Sequence, residues 1–494
     1  YTIANWSHLN NTRENLNANF TVTNDLTEET DGYRAVASPS ANDARGFVPI
    51  SGRFPGFTGS LDGQGHAIEN LTINRTDKDR VGLFKSVPTG RFGTGTVRNL
   101  DLVNVDIAGG NETGAVAGAH SGAQTIENIS VTGHIDGDRM VGGVVGSNTG
   151  HVRNVSVDGT VNGSIRVGGV IGENPGGTLN ASSAVGTVTG DSLVGGLVGD
   201  NSAARPGGDS GTILNSHAGA SVEAYGVVGG LVGANGDKRQ LFGPTRIFSG
   251  GTITNSSASG TVAVTVSPSV TGKRAGGLVG QMYLGNITRS SASGTVDAPD
   301  ATHVGGLVGY ADGSNNRRVR TIRESYATGD VTGNESVGGL VGTTRNETVV
   351  HSYAVGNVTG DTAVGGLVGT HTGANANVTE AYAAGTVSGG TDVGGLIGTT
   401  QASPTVESAY WDTETTAQSS SGAGTGLTTT QLKANQSLAG FDFQHTWNVR
   451  SGTEISYPYL QNNTQSPAPG LETRVSVDRI DALNATVQVG EQCQ

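Results

Sequence analysis

The sequence is poor in the residues that usually hold a large globular domain together. Its 494 residues include a single cysteine, Cys493, so no disulfide can form within one chain. Aromatic residues make up only 5% of the chain and charged residues 14%. No apolar run reaches the roughly 18 residues that indicate a membrane-spanning helix. Packing of small side chains and hydrogen bonding must therefore stabilise the fold.

Motifs for the common catalytic chemistries are also missing. A zinc peptidase would show His-Glu-x-x-His, and a phosphate-binding loop would show Gly-Lys-Ser or Gly-Lys-Thr; neither occurs. The strongest acidic grouping, Asp412 with Glu414, and the pair Asp136 and Asp138 at a predicted coil corner are interpreted as solvated loop acids. We therefore predict no catalytic residue, no enzyme activity and no cofactor. Ca²⁺ held by corner aspartates is the one ion that the pattern admits.

The net charge of the chain limits the classes of partner that its surface can bind. The formal net charge is −13 and the pI about 5.2, which disfavours nucleic acid and anionic lipid as partners of the whole surface. The 29 basic residues comprise 24 Arg and 5 Lys. Two explanations of this bias stay open: adaptation to a high-salt habitat, and GC-rich codon usage.

Glycine is abundant, with 81 residues, and it recurs in a repeat. The final Gly of each Val-Gly-Gly-Leu-Val-Gly copy follows the previous one by 26 to 29 residues in most steps and by 33, 34 or 47 in three. The second half of each unit alternates small or apolar residues with polar ones, which is typical of half-buried strands. The repeat predicts an all-β fold: a right-handed parallel β-helix of about ten coils of roughly 28 residues, with small N- and C-terminal caps. The motif begins at Val141, Val167, Val194, Val228, Val304, Val337, Val364 and Val393.

Stacked coils would place equivalent residues in ladders about 4.8 Å apart. Val141, Val167 and Val194 are predicted to form one interior ladder. A second slot changes along the chain, from Ser or His to Tyr. We interpret its tyrosines as a packing ladder in preference to a sugar-binding strip. The second slot holds Ser183, His217, Ser257, Ser291, Tyr326, Tyr353, Tyr382 and Tyr410.

This repeat resembles the GLUG family of bacterial and archaeal surface proteins. The resemblance covers nearly the whole chain. It includes an opening segment from Phe57 to His66 and Val81 to Phe84, and a closing segment with Ala409-Tyr-Trp-Asp412, Trp447 and Tyr457-Pro-Tyr-Leu460. The resemblance implies an exterior protein, either adhesin-like or the non-catalytic repeat region of a secreted peptidase.

The organisation expected along the chain has five parts. Residues 1–80 form the N-terminal cap and first coils, with a short helix within 1–20, and residues 81–411 form the solenoid. Residues 412–462 close it, with a second short helix in 428–440. Residues 463–470 are a linker. Residues 471–494 form a β-strand tail, interpreted as the first hairpin of a further domain, as a patch over the last coil, or as a strand donated to a neighbouring subunit.

Asn-x-Ser/Thr sequons suggest a glycosylated exterior location. A start at Tyr1 without Met fits the same expectation of a processed, secreted chain. The candidate acceptors are Asn5, Asn10, Asn19, Asn70, Asn74, Asn111, Asn128, Asn154, Asn162, Asn180, Asn255, Asn286, Asn334, Asn346, Asn357, Asn377, Asn435, Asn462 and Asn484.

The longer repeat steps and the tail supply candidate contact sites. Two insertions, residues 234–252 and 313–323, are basic although the rest of the chain is acidic. We interpret them as contact sites for another acidic copy of the chain or for an anionic glycan. The alternative is that they are solvated loops. The interface candidates are Lys238, Arg239, Phe242, Arg246, Phe248, Arg317, Arg318, Arg320, Val475, Val477, Ile480 and Val487.

Together these patterns predict a structural or adhesive protein of the cell surface. It would be a filament subunit that assembles end to end through its terminal segments. Its expected partners are other copies of itself and glycans. We expect no nucleic acid partner and no membrane span. The alternatives are a glycan-binding or glycan-cleaving β-helix, and the non-catalytic arm of a larger secreted protein.

Overall fold

The structure is a computed structural model that describes residues 1–51, 56–90, 93–123, 125–204, 208–239, 246–248, 250–265, 270–313, 320–452 and 454–473. Within these ranges the chain winds through three long parallel sheets. This arrangement confirms the predicted β-solenoid; its handedness stays a prediction.

Between Thr96 and Gln401 each coil contributes strands to the three sheets in a fixed order, first sheet A, then sheet C, then sheet B. In the coil from Thr178 to Asp200, for example, two strands lie in sheet A, Ser192–Gly195 lies in sheet C and Val198–Asp200 lies in sheet B. Strands of successive coils pair in parallel. The Val-Gly-Gly-Leu-Val-Gly motif thus forms the turn from sheet C into sheet B.

Among the described residues, sheet A has 27 strands. They are Thr2–Ile3, Asn19–Val22, Ser60–Glu69, Thr72–Asn74, Thr96–Ala108, Thr125–Asp136, His151–Asn162, Thr178–Asn180, Ser183–Gly190, Thr212–Leu214, His217–Ala218, Ser221–Ala224, Thr252–Thr254, Ser257–Ala258, Val262–Val264, Asn286–Thr288, Ser291–Ala292, Val296–Ala298, Thr321–Arg323, Tyr326–Ala327, Val331–Gly333, Thr348–Ala354, Val358–Thr359, Asn377–Ala383, Val387–Ser388, Thr405–Asp412 and Thr425–Leu427.

Sheets B and C are narrower, with one strand per coil. Sheet B comprises Phe84–Val87, Ala117–His120, Val145–Asn148, Ile171–Glu173, Val198–Asp200, Val232–Asn235, Val279–Tyr283, Val308–Asp312, Val341–Arg345, Val368–Thr372 and Ile397–Gln401. Sheet C comprises Thr113–Gly114, Arg139–Gly142, Ile165–Gly168, Ser192–Gly195, Val227–Gly229, Arg274–Gly276, His303–Gly305, Glu335–Gly338, Thr362–Gly365 and Thr391–Gly394.

Four antiparallel strand pairs and six short helices complete the described structure. The pairs are Thr89–Gly90 with Gly93–Thr94, Asp237–Arg239 with Arg246–Phe248, Trp447–Asn448 with Tyr459–Leu460, and Glu454–Ile455 with Glu472–Thr473. The helices are Trp6–Asn11, Thr12–Glu14, Tyr33–Val36, Ala41–Ala44, Thr429–Leu432 and Asn435–Ser437. The helices near both termini are shorter than the ranges that the sequence suggested. No helix among the described residues is long and apolar enough to cross a membrane.

The predicted interior ladder of the motif is present. Val141 pairs in register with Val167, and Val167 pairs with Val194. All three are fully buried in one continuous core that runs the length of the rod. Register between coils is fixed because a slip of one residue would turn the buried face outward.

Glycine in the motif allows sheets B and C to touch through their backbones. A Cβ atom placed on Gly172 would lie 2.4 Å from the carbonyl carbon of Met140 and 2.5 Å from the amide nitrogen of Val141. Both atoms belong to a strand of sheet C. A side chain at this position would force the two sheets apart.

A tryptophan closes each end of the core. Trp6 is fully buried near the N-terminus, where its indole nitrogen donates to the carbonyl oxygen of Thr27. Trp411 occupies the slot that holds Ala383 one coil earlier, and it is 6% exposed. Ser421 then caps the last coil by accepting hydrogen bonds from the amides of Leu396 and Ile397. These plugs cover the apolar ends that an open solenoid would expose.

Candidate functional site

The tyrosine ladder lies on the outer face of sheet A and is covered by residues 413–452 and 454–470. These residues join the predicted closing segment to the predicted linker and are called the closing segment below. The rings of Tyr326, Tyr353 and Tyr382 stack with centroids 5.0 and 5.1 Å apart. Tyr353 and Tyr382 are fully buried against Trp447 and other residues of the closing segment. Burial raises the pKa of both phenols. Tyr353 and Tyr382 therefore pack against protein, as the packing interpretation requires, and Tyr326 is half-buried.

Tyrosine hydroxyl groups fasten the closing segment to the rod. Tyr353 donates to Oε1 of Gln465 at 3.0 Å, and Tyr410 donates to the carbonyl oxygen of Ala439 at 2.8 Å. Asn463 donates through Nδ2 to the carbonyl oxygen of Glu324 at 2.9 Å. The stretch 463–470, expected as a linker, thus begins in direct contact with the solenoid.

All sequon asparagines within the described residues are at least partly exposed. Asn74, Asn435 and Asn462 are exposed, and none of the eighteen described acceptors is buried. Asn484 lies outside the described residues. Every described sequon asparagine thus meets one requirement of an N-linked acceptor, which is that its side chain is not buried.

Several of these asparagines form a ladder along an outer corner of the rod. Nδ2 of Asn128 donates to Oδ1 of Asn99 at 2.8 Å, and Nδ2 of Asn154 donates to Oδ1 of Asn128 at 2.7 Å. All three have φ between 49° and 55°, a left-handed conformation that Asn tolerates better than most residues. Asn255 donates in the same way to Asn215, at 3.3 Å.

A second asparagine ladder lies inside the protein. Asn148 donates to Asn174, Asn174 to Asn201, and Asn201 to Asn235, with Nδ2–Oδ1 distances of 2.7, 2.9 and 2.9 Å. All four are fully buried. This ladder was not predicted, although its signal in the sequence is a recurring Asn two residues after the final Gly of the motif.

Buried histidines occupy the same position in other coils. His120 begins the ladder with Nδ1 2.8 Å from Oδ1 of Asn148, and His371 lies 2.5 Å from Oγ1 of Thr344. Burial lowers the pKa of each histidine to about 4. Their rings are therefore neutral at pH 7, where they act as hydrogen-bonding groups of the core.

The acidic pair near the end of the solenoid is structural, and the interpretation of Asp412 as a solvated loop acid is wrong because its carboxylate is buried among hydrogen-bond donors. Asp412 is fully buried, and its carboxylate accepts hydrogen bonds from the amides of Glu414 and Thr415 and from the hydroxyl of Tyr457. Glu414 in turn accepts from the amide of Thr429. Both carboxylates hold the turn into the closing segment.

Other acidic groups give little support for a metal site. Asp138 at its coil corner accepts a 2.9 Å hydrogen bond from Ser164. In the part of the chain that the structure describes, no group of three His, Cys, Asp or Glu side chains is placed to bind a metal ion. The Ca²⁺ hypothesis stays a prediction.

The two basic insertions leave the rod at the same corner. The first follows the sheet B strand that ends at Asn235, and its backbone forms a hairpin in which Lys238 and Arg239 face Ile247 and Arg246. The second follows the sheet B strand that ends at Asp312 and returns to sheet A at Thr321. Arg320 is half-buried at its far end.

The remaining interface candidates are only partly described. The side chains of Lys238, Arg239, Arg246 and Phe248 are not described. Phe242, Arg317, Arg318, Val475, Val477, Ile480 and Val487 lie outside the described residues. The structure thus brings the two insertions to one corner of the rod and leaves the tail hypothesis as a prediction.

Comparison with known proteins identifies the repeat. The profile described as the GLUG motif matches residues 137–162, 224–263, 271–297 and 300–332. The chain carries GLUG motifs. This match confirms the resemblance over these four ranges, and their described residues lie in the stacked coils or in the hairpin of the first insertion.

Curated relatives share the GLUG region over part of their length. Halomucin of Haloquadratum walsbyi is 40% identical over 135 residues, which are 27% of this chain and 1% of halomucin. The immunoglobulin A1 protease of Streptococcus sanguinis is 35% identical over 118 residues, 23% of this chain and 6% of that protein. The chain therefore spans a small fraction of either relative.

Solved structures similar to the GLUG solenoid are distant. A crystal structure of a Bacteroides ovatus protein assigned as an immunoglobulin A1 protease matches with a TM-score of 0.38 and 19% identity, covering 54% of this chain and 79% of that chain. A structure of IgA1 protease matches with a TM-score of 0.34 and 17% identity, covering 66% of this chain and 21% of that chain.

Proposed function

We propose that this chain is a non-catalytic structural and adhesive protein of the cell exterior, a glycosylated β-solenoid rod. The observation that carries the proposal is that buried and exposed asparagines differ in sequence context. Among the described residues the four fully buried ones, Asn148, Asn174, Asn201 and Asn235, all lie outside Asn-x-Ser/Thr. Every described sequon asparagine is accessible. This is the distribution expected of a chain whose exterior is modified.

Charge and relatedness support an exterior location. The net charge of −13 fits a high-salt habitat, since excess carboxylates keep a surface hydrated. GC-rich codon usage stays the alternative explanation of the 24 Arg against 5 Lys. Two proteins named halomucin and IgA1 protease share the repeat. Because the chain covers 1% and 6% of them, their own activities are not carried over.

Self-association is proposed to use the terminal segments. Trp6 and Trp411 plug the core, so two rods gain no apolar burial by meeting core to core. Twenty-one residues follow Thr473, and an alternating apolar tail can add a strand to an exposed sheet edge of a second copy. On this proposal the tail connects one rod to the next. The corner from which the two basic insertions leave the rod contacts an acidic partner, either another copy or an anionic glycan.

Electron microscopy and intact mass of the purified chain, with and without residues 474–494, test the assembly. Filaments or dimers of the full chain that disappear on truncation support it. Monodisperse rods in both samples contradict self-association through the tail. Glycopeptide mass spectrometry of the same material tests the exterior assignment, and a chain without sugar at any sequon contradicts it.

A second candidate function is that of a non-catalytic arm within a longer secreted protein. The observation that favours it is the small share of each curated relative that this chain covers. An intact mass of the native protein well above the 49.8 kDa of this chain, after removal of sugar, supports the arm. A native mass equal to the chain contradicts it.

A further inference from the structure

N-linked modification, on which this inference rests together with the proposed function, has a geometric requirement. The sugar is transferred from a phosphate-activated donor to Nδ2 of asparagine. The bond between the anomeric carbon and the phosphate oxygen breaks, a carbon–nitrogen bond forms, and one Nδ2 proton leaves with the phosphate. The acceptor amide must therefore present Nδ2 to solvent with room for a pyranose ring.

The outer asparagine ladder does not meet this requirement. Asn128 is held on both sides, because its Nδ2 donates to Asn99 at 2.8 Å and its Oδ1 accepts from Asn154 at 2.7 Å. These bonds align the amide plane along the rod axis. Neighbouring coils are only about 4.8 Å apart, which is narrower than a pyranose ring. A sugar on Nδ2 would collide with the ladder or break it.

The same restriction holds for other asparagines that donate within a ladder. Asn154 uses Nδ2 to bond Asn128. Asn255 uses Nδ2 to bond Asn215, which itself donates to Asn180 at 3.0 Å. Exposure of these side chains is therefore not sufficient for modification. One of the two N–H groups of each amide already donates to the neighbouring coil, and a sugar that replaces the hydrogen of the other would have to fit within the coil spacing.

Three other sequons have the opposite geometry. Asn74 ends a strand near the N-terminal end of sheet A, Asn435 begins a short 3-10 helix of the closing segment, and Asn462 follows the last strand of the Trp447 hairpin. All three are exposed, and their side chains make no hydrogen bond to the described residues. None has an equivalent asparagine one coil above or below it.

We infer that the ladder shields its own sequons, so that Asn128, Asn154 and Asn255 stay unmodified while Asn74, Asn435 and Asn462 carry N-linked sugar. The remaining sequons, whose oxygens accept hydrogen bonds or whose side chains are half-buried, fall between these groups. The rod then carries sugar at its two ends and keeps the laddered corner bare for contact with other molecules.

Glycopeptide mass spectrometry on the full chain, purified from cells that modify its sequons, tests this inference. The expected result is sugar on Asn74, Asn435 and Asn462 and none on the three ladder asparagines. Sugar on Asn128, Asn154 or Asn255 overturns the inference and leaves the proposed function intact. Absence of sugar from every sequon overturns both.

A variant tests the ladder as the cause. Asn99→Gly removes the acceptor of Asn128, and glycine suits the left-handed backbone at this position. Occupancy at Asn128 should rise from undetectable to measurable in this variant. Adding Ser130→Ala destroys the sequon without touching the ladder and should abolish the new signal. If Asn128 stays bare while Asn74 is modified, the ladder is not the shield and the inference fails.

Discussion

The hydroxyl of Tyr382 donates a 2.6 Å hydrogen bond to the carbonyl oxygen of Pro458, although 76 residues separate the two. The same ring stacks on Tyr353 and lies 6.0 Å from both Trp447 and Tyr457. One side chain thus belongs to the repeat ladder and to the contact with the closing segment. Stability of the last coils and docking of that segment are therefore coupled.

Replacing this tyrosine should loosen the closing segment. Tyr382→Phe leaves the Pro458 carbonyl without its donor in a buried site, which is expected to lower the free energy of unfolding by about 1–3 kcal/mol. Tyr382→Ala also removes a buried ring, and a loss of about 3–5 kcal/mol is expected. Urea unfolding followed by tryptophan fluorescence measures both. Tyr326→Phe, at a half-buried position of the ladder, is the control. If its free energy of unfolding falls as much as that of Tyr382→Phe, the coupling is contradicted.

Breaking the interior asparagine ladder should destabilise the middle of the rod. Asn174→Ala removes the acceptor of Asn148 and the donor to Asn201. Buried amide groups left without partners cost about 1–3 kcal/mol each, so a total loss of about 3 kcal/mol or more is expected in thermal or urea unfolding. Asn154→Gly, in the exposed ladder, is the matched control and should change stability by less than about 1 kcal/mol. Similar losses in the two variants would show that burial of the amide does not matter.

A methyl group at the close approach of sheets B and C should be poorly tolerated. Gly172→Ala places Cβ 2.4 Å from a backbone carbon of Met140, so the sheets must move apart. A loss of about 1–3 kcal/mol or more is expected from such overpacking. Gly219→Ala is the control, because its nearest atom, on the side chain of Val185, lies 3.2 Å away. Circular dichroism melts of both variants measure this loss. A Gly172→Ala protein as stable as the unsubstituted chain contradicts the proposed contact.

Mild acid should destabilise the rod through its buried histidines. Burial lowers the pKa of His120, His303 and His371 to about 4, whereas an unfolded histidine has a pKa near 6.5. Between these values the unfolded chain binds protons that the folded chain rejects. The free energy of unfolding therefore falls as the pH drops from about 6.5 to 4, by up to about 3 kcal/mol per histidine.

Replacement of one histidine checks this pH dependence. His120→Asn puts into the first coil of the ladder the residue that the next coils already use, so the decrease in the urea midpoint between pH 7 and pH 4.5 should be smaller. His134→Asn, whose half-buried ring makes no hydrogen bond within the described residues, should leave the decrease unchanged. Equal decreases in the two variants would assign the acid sensitivity to other groups.

Agreement between sequence and structure is greatest where the repeat is regular. The spacing of Val141, Val167 and Val194 predicts their register, which the strand pairing confirms. The GLUG resemblance is likewise confirmed. Of the candidate sites, the accessibility of the sequons was expected, whereas the commitment of Asn128 and Asn154 to a ladder was not, because sequence shows an acceptor motif and not the direction of its amide.

The sequence by itself determined the period, the coil and the alternation of buried and exposed residues, since a parallel stack repeats one local conformation and each coil contacts only its neighbours. Tertiary structure alone decided where the tyrosine ladder faces and what covers it. The contact between Tyr382 and Pro458 joins residues 76 positions apart, and no period of about 28 residues encodes it. The same holds for asparagine: Asn148 and Asn154 lie six positions apart, yet one amide is buried and the other exposed, because each faces a different side of its strand.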